Sequence, residues 1–183
     1  MNFGGIDIAW SRGKTGICII GERIRFELFK GREVLSFNFP PGLYLIDAPL
    51  FIPIKGIREL DRRLRKETGI PVLPANRSLF PYFLPEELLK ILQEDGFKEW
   101  KGERKEGKYY KESFVPVLRK QFFSIPKFNS VNDYRRKFKK RFGFLPTPPS
   151  SHLLDAWLLA KKAQWAYDGE YRIIKEKNGE ILI

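Results

Sequence analysis

Residues 42–50 read GLYLIDAPL. The apolar run from Leu43 to Ile46 shows no alternation, and Pro49 ends it. A strand covered on both faces has this pattern, so it belongs at the centre of a sheet. Asp47 sits near the C-terminal end of that strand, where open sheets with crossover connections build their sites.

A second acid lies in similar surroundings. Residues 4–10, GGIDIAW, place Asp7 between Ile6 and Ile8 on a strand expected over residues 3–10. Side chains alternate along a strand, so Asp7 shares its face with Gly5 and Ala9, both small. Residues 15–20 and 23–29 read as two further strands, joined at Gly21-Glu22 by a hairpin. Residues 33–39 suit a short edge strand or an irregular return. After the central strand, the spacing of Ile57, Leu60 and Leu64 predicts a helix over 56–69. Pro85 and Gly96 bracket another over 85–96. Residues 70–84 form a loop rich in Pro and aromatics, and 97–107 are charged and exposed. A strand is expected over 108–114, a basic helix over 130–143 and a strong helix over 150–169. Pro146, Pro148 and Pro149 make the link between these two helices rigid. Residues 170–183 close as a hairpin about Asn178-Gly179. The order implies an α/β fold: an antiparallel three-strand meander, then parallel crossover strands, in one mixed sheet flanked by helices. We expect a single domain over 1–183 with the hairpin as an extension.

The chain has 34 Lys and Arg against 22 Asp and Glu, a formal net charge of +12. That favours a polyanionic partner, most simply nucleic acid, DNA or RNA. The single cysteine, Cys18, excludes an intrachain disulfide and a thiolate metal cluster; it reads as a small core residue. No apolar run reaches the roughly 18 residues of a membrane span, and no secretory signal is visible, so the expected compartment is cytoplasmic. High Lys, Glu and Arg with few Gln suggest a thermophile.

Asp155 is the third acid among apolar residues. It lies in the first turns of the strongest helix, three residues after His152, so the two share a face. Ala156, Leu159, Ala163 and Ala166 continue a mostly small face that can press closely onto the sheet. Three carboxylates in apolar surroundings need a common counter-charge. A pair of Mg²⁺ or Mn²⁺ ions would supply it, with Asp7, Asp47 and Asp155 as ligands, and two such ions can clamp a phosphoryl group. Simpler roles stay open. Asp7 could cap a turn or pair with Arg12, Asp47 could form a turn, and Asp155 could serve the helix dipole. His152 could be a helix-start residue, a metal ligand or a phosphate contact.

GIDIAWSRGKTGICII, YLIDAPLFIPIKGIRELDRRLR and SSHLLDAWLLAKKAQWAYDG, which together span nearly the whole chain, resemble the signature blocks of the domain-of-unknown-function family numbered 429. The most specific is Ile46 to Leu50 followed by Gly56, Arg58 and Asp61. That family is regarded as predicted nucleases of ribonuclease H-like fold. The resemblance implies a metal-dependent phosphodiesterase whose ion-binding acids map onto Asp7, Asp47 and Asp155. His152 and Asp155 are also similar to the last helix of Holliday-junction resolvases, which carries a His and an Asp at that spacing. The family has a Glu closely followed by Pro in its fifth-strand region; here Glu112 and Pro116 are four apart, so Glu112 is a second-tier catalytic candidate with His152. Asp61 matches a family position, although a surface ion-pair network with Arg58 and Arg65 would account for it as well.

Substrate-holding candidates are Arg12 and Lys14 after the first strand, Arg58, and the basic helix with Arg135, Arg136, Lys139 and Lys140. Tyr134, Phe138 and Phe142 recur at four-residue steps on that helix and should form its buried stripe. Phe80, Tyr82 and Phe83 could stack bases, or pack beneath a lid. Two alternatives to a nuclease remain: a nucleic-acid-binding scaffold without turnover, and a phosphotransferase of the actin and sugar-kinase superfamily, for which 183 residues is short.

Overall fold

The computed structural model describes residues 1–9, 13–50, 53, 58–72, 84–177 and 179–183. Arg12, Gly56, the Phe80, Tyr82 and Phe83 loop, and Asn178 of the hairpin turn lie outside the described residues.

A six-stranded sheet forms from β1 (Asn2–Asp7), β2 (Lys14–Ile20), β3 (Ile24–Lys30), β4 (Gly42–Ile46), β5 (Lys98–Glu99) and β6 (Lys108–Glu112), in the order β3-β2-β1-β4-β6-β5. The first three strands are an antiparallel meander, and β4 and β6 run parallel to β1. This is the mixed sheet expected from sequence, an antiparallel meander continued by parallel crossover strands. Tyr44, Leu45 and Ile46 of β4 are fully buried, as the unbroken apolar run requires.

Among the described residues five helices follow the meander: α1 (Glu59–Thr68), α2 (Leu84–Glu94), α3 (Val115–Phe123), α4 (Val131–Phe142) and α5 (Ser151–Asp168). On one face of the sheet α3, α4 and α5 enclose a core with Cys18, Leu43, Leu45, Leu118, Phe138 and Trp157. On the other, Leu84, Leu88 and Leu92 of α2 cover Ile6, Ile17, Tyr44 and Ile46. The partition follows the period of two along each strand. Helix α5 is buried almost all round, as a helix apolar on every side must be. The expected stripe on α4 is present: Tyr134 and Phe138 are buried and Phe142 is half-buried.

Two local readings are sharpened. Of the edge strand or irregular return expected over 33–39, the structure has the return, opened by a 3₁₀ helix over residues 31–36. Gly31 adopts φ 54°, which turns the chain straight after β3, and the Glu33 carboxylate accepts from the Lys30 N–H at 2.8 Å. Helix α3 occupies residues to which the sequence reading assigns no element. Its signals are Pro116 in the first turn and buried Val115, Leu118 and Phe122 at i, i+3 and i+7.

The terminal hairpin, β7 (Ile173–Glu176) with β8 (Gly179–Leu182), packs against α1 and β6. The fully buried Lys111 of β6 holds it there, donating to Glu180 at 2.6 Å and to Glu99 at 2.7 Å. The segment 97–107 is thus not wholly exposed; Trp100 within it is fully buried. Among the described residues no helix is long and apolar enough to cross a membrane.

Burial opposes the charge on Glu180, but hydrogen bonds from Lys111 and Lys175 outweigh it and hold the carboxyl down at about 2 against an ordinary 4.5. Its stabilising contribution is therefore complete above about pH 4.5 and is lost as pH falls toward 2. Glu180→Gln should cost about 2 kcal/mol at pH 7, since it strips a charged partner from a buried lysine. In urea unfolding from pH 7 to pH 2 the variant's deficit should shrink as acid protonates the wild-type carboxyl.

Candidate functional site

The parallel register decides which acids can meet. Ile6 pairs with Ile46, so Asp7 and Asp47 stand level at the ends of adjacent strands, and the Asp47 N–H donates to the Ile6 carbonyl at 2.9 Å. Gly5 and Leu45, two residues earlier, face α5, so Asp7 and Asp47 belong to that same face. Glu112 pairs with Ile46, whose side chain joins the opposite core. The alternation therefore sends Glu112 to the other side of the sheet.

Helix α5 brings the remaining groups. It lies so close to the sheet that a Cβ on Gly5 would sit 1.9 Å from the Ala156 carbonyl oxygen, and one on Gly16 would sit 2.4 Å from that of His152. Gly16 pairs with Asp7 across β1 and β2. The first turn of α5 is thereby set directly beside Asp7, and Ser150 caps it by accepting from the His152 N–H. His152 Nδ1 meets Asp7 Oδ2 at 2.7 Å. That hydrogen bond raises the His152 pKa, against burial and the nearby Lys14 charge.

Asp155, one turn further on, is nearly buried and fully engaged. Arg119 of α3 donates Nε to Oδ1 at 2.9 Å and Nη2 to Oδ2, and the Tyr134 hydroxyl donates to Oδ1 at 2.7 Å. Burial nevertheless pushes its pKa up to about 6, with Arg119 opposing and Asp7 adding to the rise. Asp47 accepts from the Val115 N–H at 3.0 Å and so caps α3 from a distant part of the chain. Its pKa is raised well above its ordinary value by burial, then by the Asp7 charge, with Asp155 adding to them. The three acids therefore do share one electrostatic neighbourhood.

They do not share it as equals. Among the described residues no group of three His, Cys, Asp or Glu could hold a metal ion. Asp155, expected from sequence as a third ion ligand, is hydrogen-bonded by Arg119 and Tyr134. Asp7 Oδ1 and Asp47 Oδ2 keep no hydrogen-bond partner among the described residues. Two hard, mutually repelling carboxylates suit Mg²⁺ or Mn²⁺, and Mg²⁺ retains most of its waters, so this pair fits a divalent cation.

Other candidates are placed differently. Arg58 is 3 % exposed and engages two carboxylates. It donates to Glu112 through Nη1 at 2.9 Å and Nη2 at 2.7 Å, and to Asp61 through Nε at 3.0 Å. Glu112 also accepts from the Leu50 N–H at 2.8 Å. Asp61 is buried in this triad, not on the surface. Beside it a cavity of about 140 Å³ is lined by Asp47, Glu112, Phe114 and Ile181 among others. On α4, Arg136 pairs with Asp133, Arg135 reaches Asn132, and Lys139 and Lys140 are exposed. Lys14 is exposed at the start of β2. Arg119 and Tyr134 are the site residues that sequence reading does not single out. Arg119 sits on the unassigned helix, and Tyr134 reads only as core.

No family model matches the chain, and no curated protein matches it. Among solved structures it is similar to T. thermophilus RuvC in complex with Holliday junction substrate, at 16 % identity over 91 % of this chain and 96 % of that one, with a TM-score of 0.47.

The two kinds of carboxylate should separate in stability measurements made in EDTA at pH 7. Glu112→Gln breaks a buried ion pair and should cost about 3 kcal/mol. Asp47→Asn keeps the Val115 hydrogen bond while removing a repelled charge, and should raise the urea midpoint. A lowered midpoint for Asp47→Asn would contradict the repulsion described here.

Proposed function

We propose that this protein is a divalent-metal-dependent nuclease acting on phosphodiester bonds in nucleic acid, related to family 429. The observation that carries the reading is the level placement of Asp7 and Asp47 on one sheet face, each with a carboxylate oxygen that has no hydrogen-bond partner among the described residues, at the C-terminal ends of adjacent parallel strands. A bound Mg²⁺ or Mn²⁺ would polarise a phosphoryl oxygen and favour attack by water.

The chain's own residues have separable tasks. Asp7 and Asp47 hold the ion. His152, fixed by Asp7 through Nδ1 and half-exposed, presents Nε2 at the edge of the site, where it can donate to a phosphate or leaving-group oxygen. Lys14 acts electrostatically on His152 and can draw a phosphate to the same edge. Helix α4 is tied to the site by Tyr134, so its exposed Lys139 and Lys140 can track a backbone leading away from it. The net charge of +12 suits a polyanion along such a path. A nucleic-acid-binding protein without turnover is the second reading, favoured by the neutralisation of Asp155 by Arg119.

The test is a panel of DNA and RNA substrates, single-stranded, duplex and branched, incubated with Mn²⁺. Cleavage should require the ion and fall by more than 100-fold in Asp7→Asn and Asp47→Asn, beyond the roughly 10–100-fold cost of losing an outer-shell group. Binding without cleavage of any substrate would favour the second reading. In either case Lys139→Ala with Lys140→Ala should weaken binding across sequences and flatten its salt dependence by about one unit of slope per lost phosphate contact.

A further inference from the structure

We propose that Arg119 is the second cation of this site, so that the carboxylates take one divalent ion, at Asp7 and Asp47, and not two. The inference rests on the nuclease reading and specifies how the phosphodiester would be met: by one ion and one guanidinium.

A two-ion site needs a further acid with oxygens to give. Asp155 is the one placed for it, and its Oδ1 already accepts from both Arg119 Nε and Tyr134 while its Oδ2 accepts from Arg119 Nη2. A dication on Oδ2 would stand against the guanidinium bound to the same oxygen. Glu112 faces the other side of the sheet and is held by Arg58.

Arg119 is built to stay. Its guanidinium lies 5.1 Å from the centre of the Tyr134 ring, and Phe128 stacks on that ring at 4.1 Å between centroids. The ring is thus held by a cation and a buried aromatic, and its hydroxyl shares Asp155 with the same arginine. Arg119 is also not sealed in. Its side chain keeps 21 % of its surface exposed, and its charge is felt at Asp47, so it borders the place where a phosphate on the ion would lie. A planar guanidinium there suits two phosphate oxygens.

The experiment is Mn²⁺ titration of the full-length protein by calorimetry, with bound ion counted independently by electron paramagnetic resonance. Wild type should bind one ion per chain. Asp7→Asn and Asp47→Asn should weaken it more than tenfold, whereas Asp155→Asn should retain it within about threefold. Arg119→Met, if folded by circular dichroism, should expose Asp155 and take a second ion; if it does not fold, the isosteric Asp155→Asn decides. Two ions on the wild type, or loss of the ion in Asp155→Asn to the extent seen in Asp7→Asn, would overturn the proposal while leaving a metal-dependent nuclease standing. No ion bound by the wild type would overturn both.

Discussion

The approach of α5 to the sheet governs the site. Where Gly5 and Gly16 offer no Cβ, the helix backbone comes within van der Waals contact of β1 and β2. That contact sets His152 against Asp7 and carries Asp155 into their electrostatic neighbourhood. Any side chain at either glycine would lever the helix away, and an alanine methyl would overlap a backbone oxygen that cannot rotate aside. The small residues of the helix, among them Ala156, Ala160 and Ala163, complete the fit and are fully buried.

The molecule treats its buried charges in two ways. Lys111 is held between Glu99 and Glu180, Arg58 between Glu112 and Asp61, and Asp155 between Arg119 and Tyr134. Each of these pins separate parts of the chain together, and each loses far more if one partner is removed than it gains from the pair's attraction. Asp7 and Asp47, which are half-buried, are held differently. Hydrogen bonds from His152 and Val115 satisfy one oxygen of each, and the repulsion between the two is left standing. Uncompensated charge of this kind reduces stability and is a feature of places built to receive a ligand.

Much of this is legible along the chain. The apolar run at 42–50, the alternation at 23–29 and the small-residue face after Ser150 give the mixed sheet and its covering helix. The acids within those patterns stand out because a carboxylate in an apolar strand has no local explanation. Helix α3 escapes because it is short and two basic residues interrupt it, and Arg119 escapes with it. The 3₁₀ turn at Gly31–Ser36 is left open between a strand and an irregular return because Val34, Leu35 and Phe37 have β-formers' composition, while Gly31 redirects the backbone.

Local pattern thus settled which residues form strands and helices and which acids fall among apolar neighbours, since periodicity and punctuation act within a few residues. Folding settled which of those acids remain available. Asp155 and Arg119 are 36 residues apart, and Glu112 and Arg58 are 54 apart. No spacing rule links them. Their pairing follows from strand register, which fixes the face each acid occupies, and from the seat of α5 on two glycines.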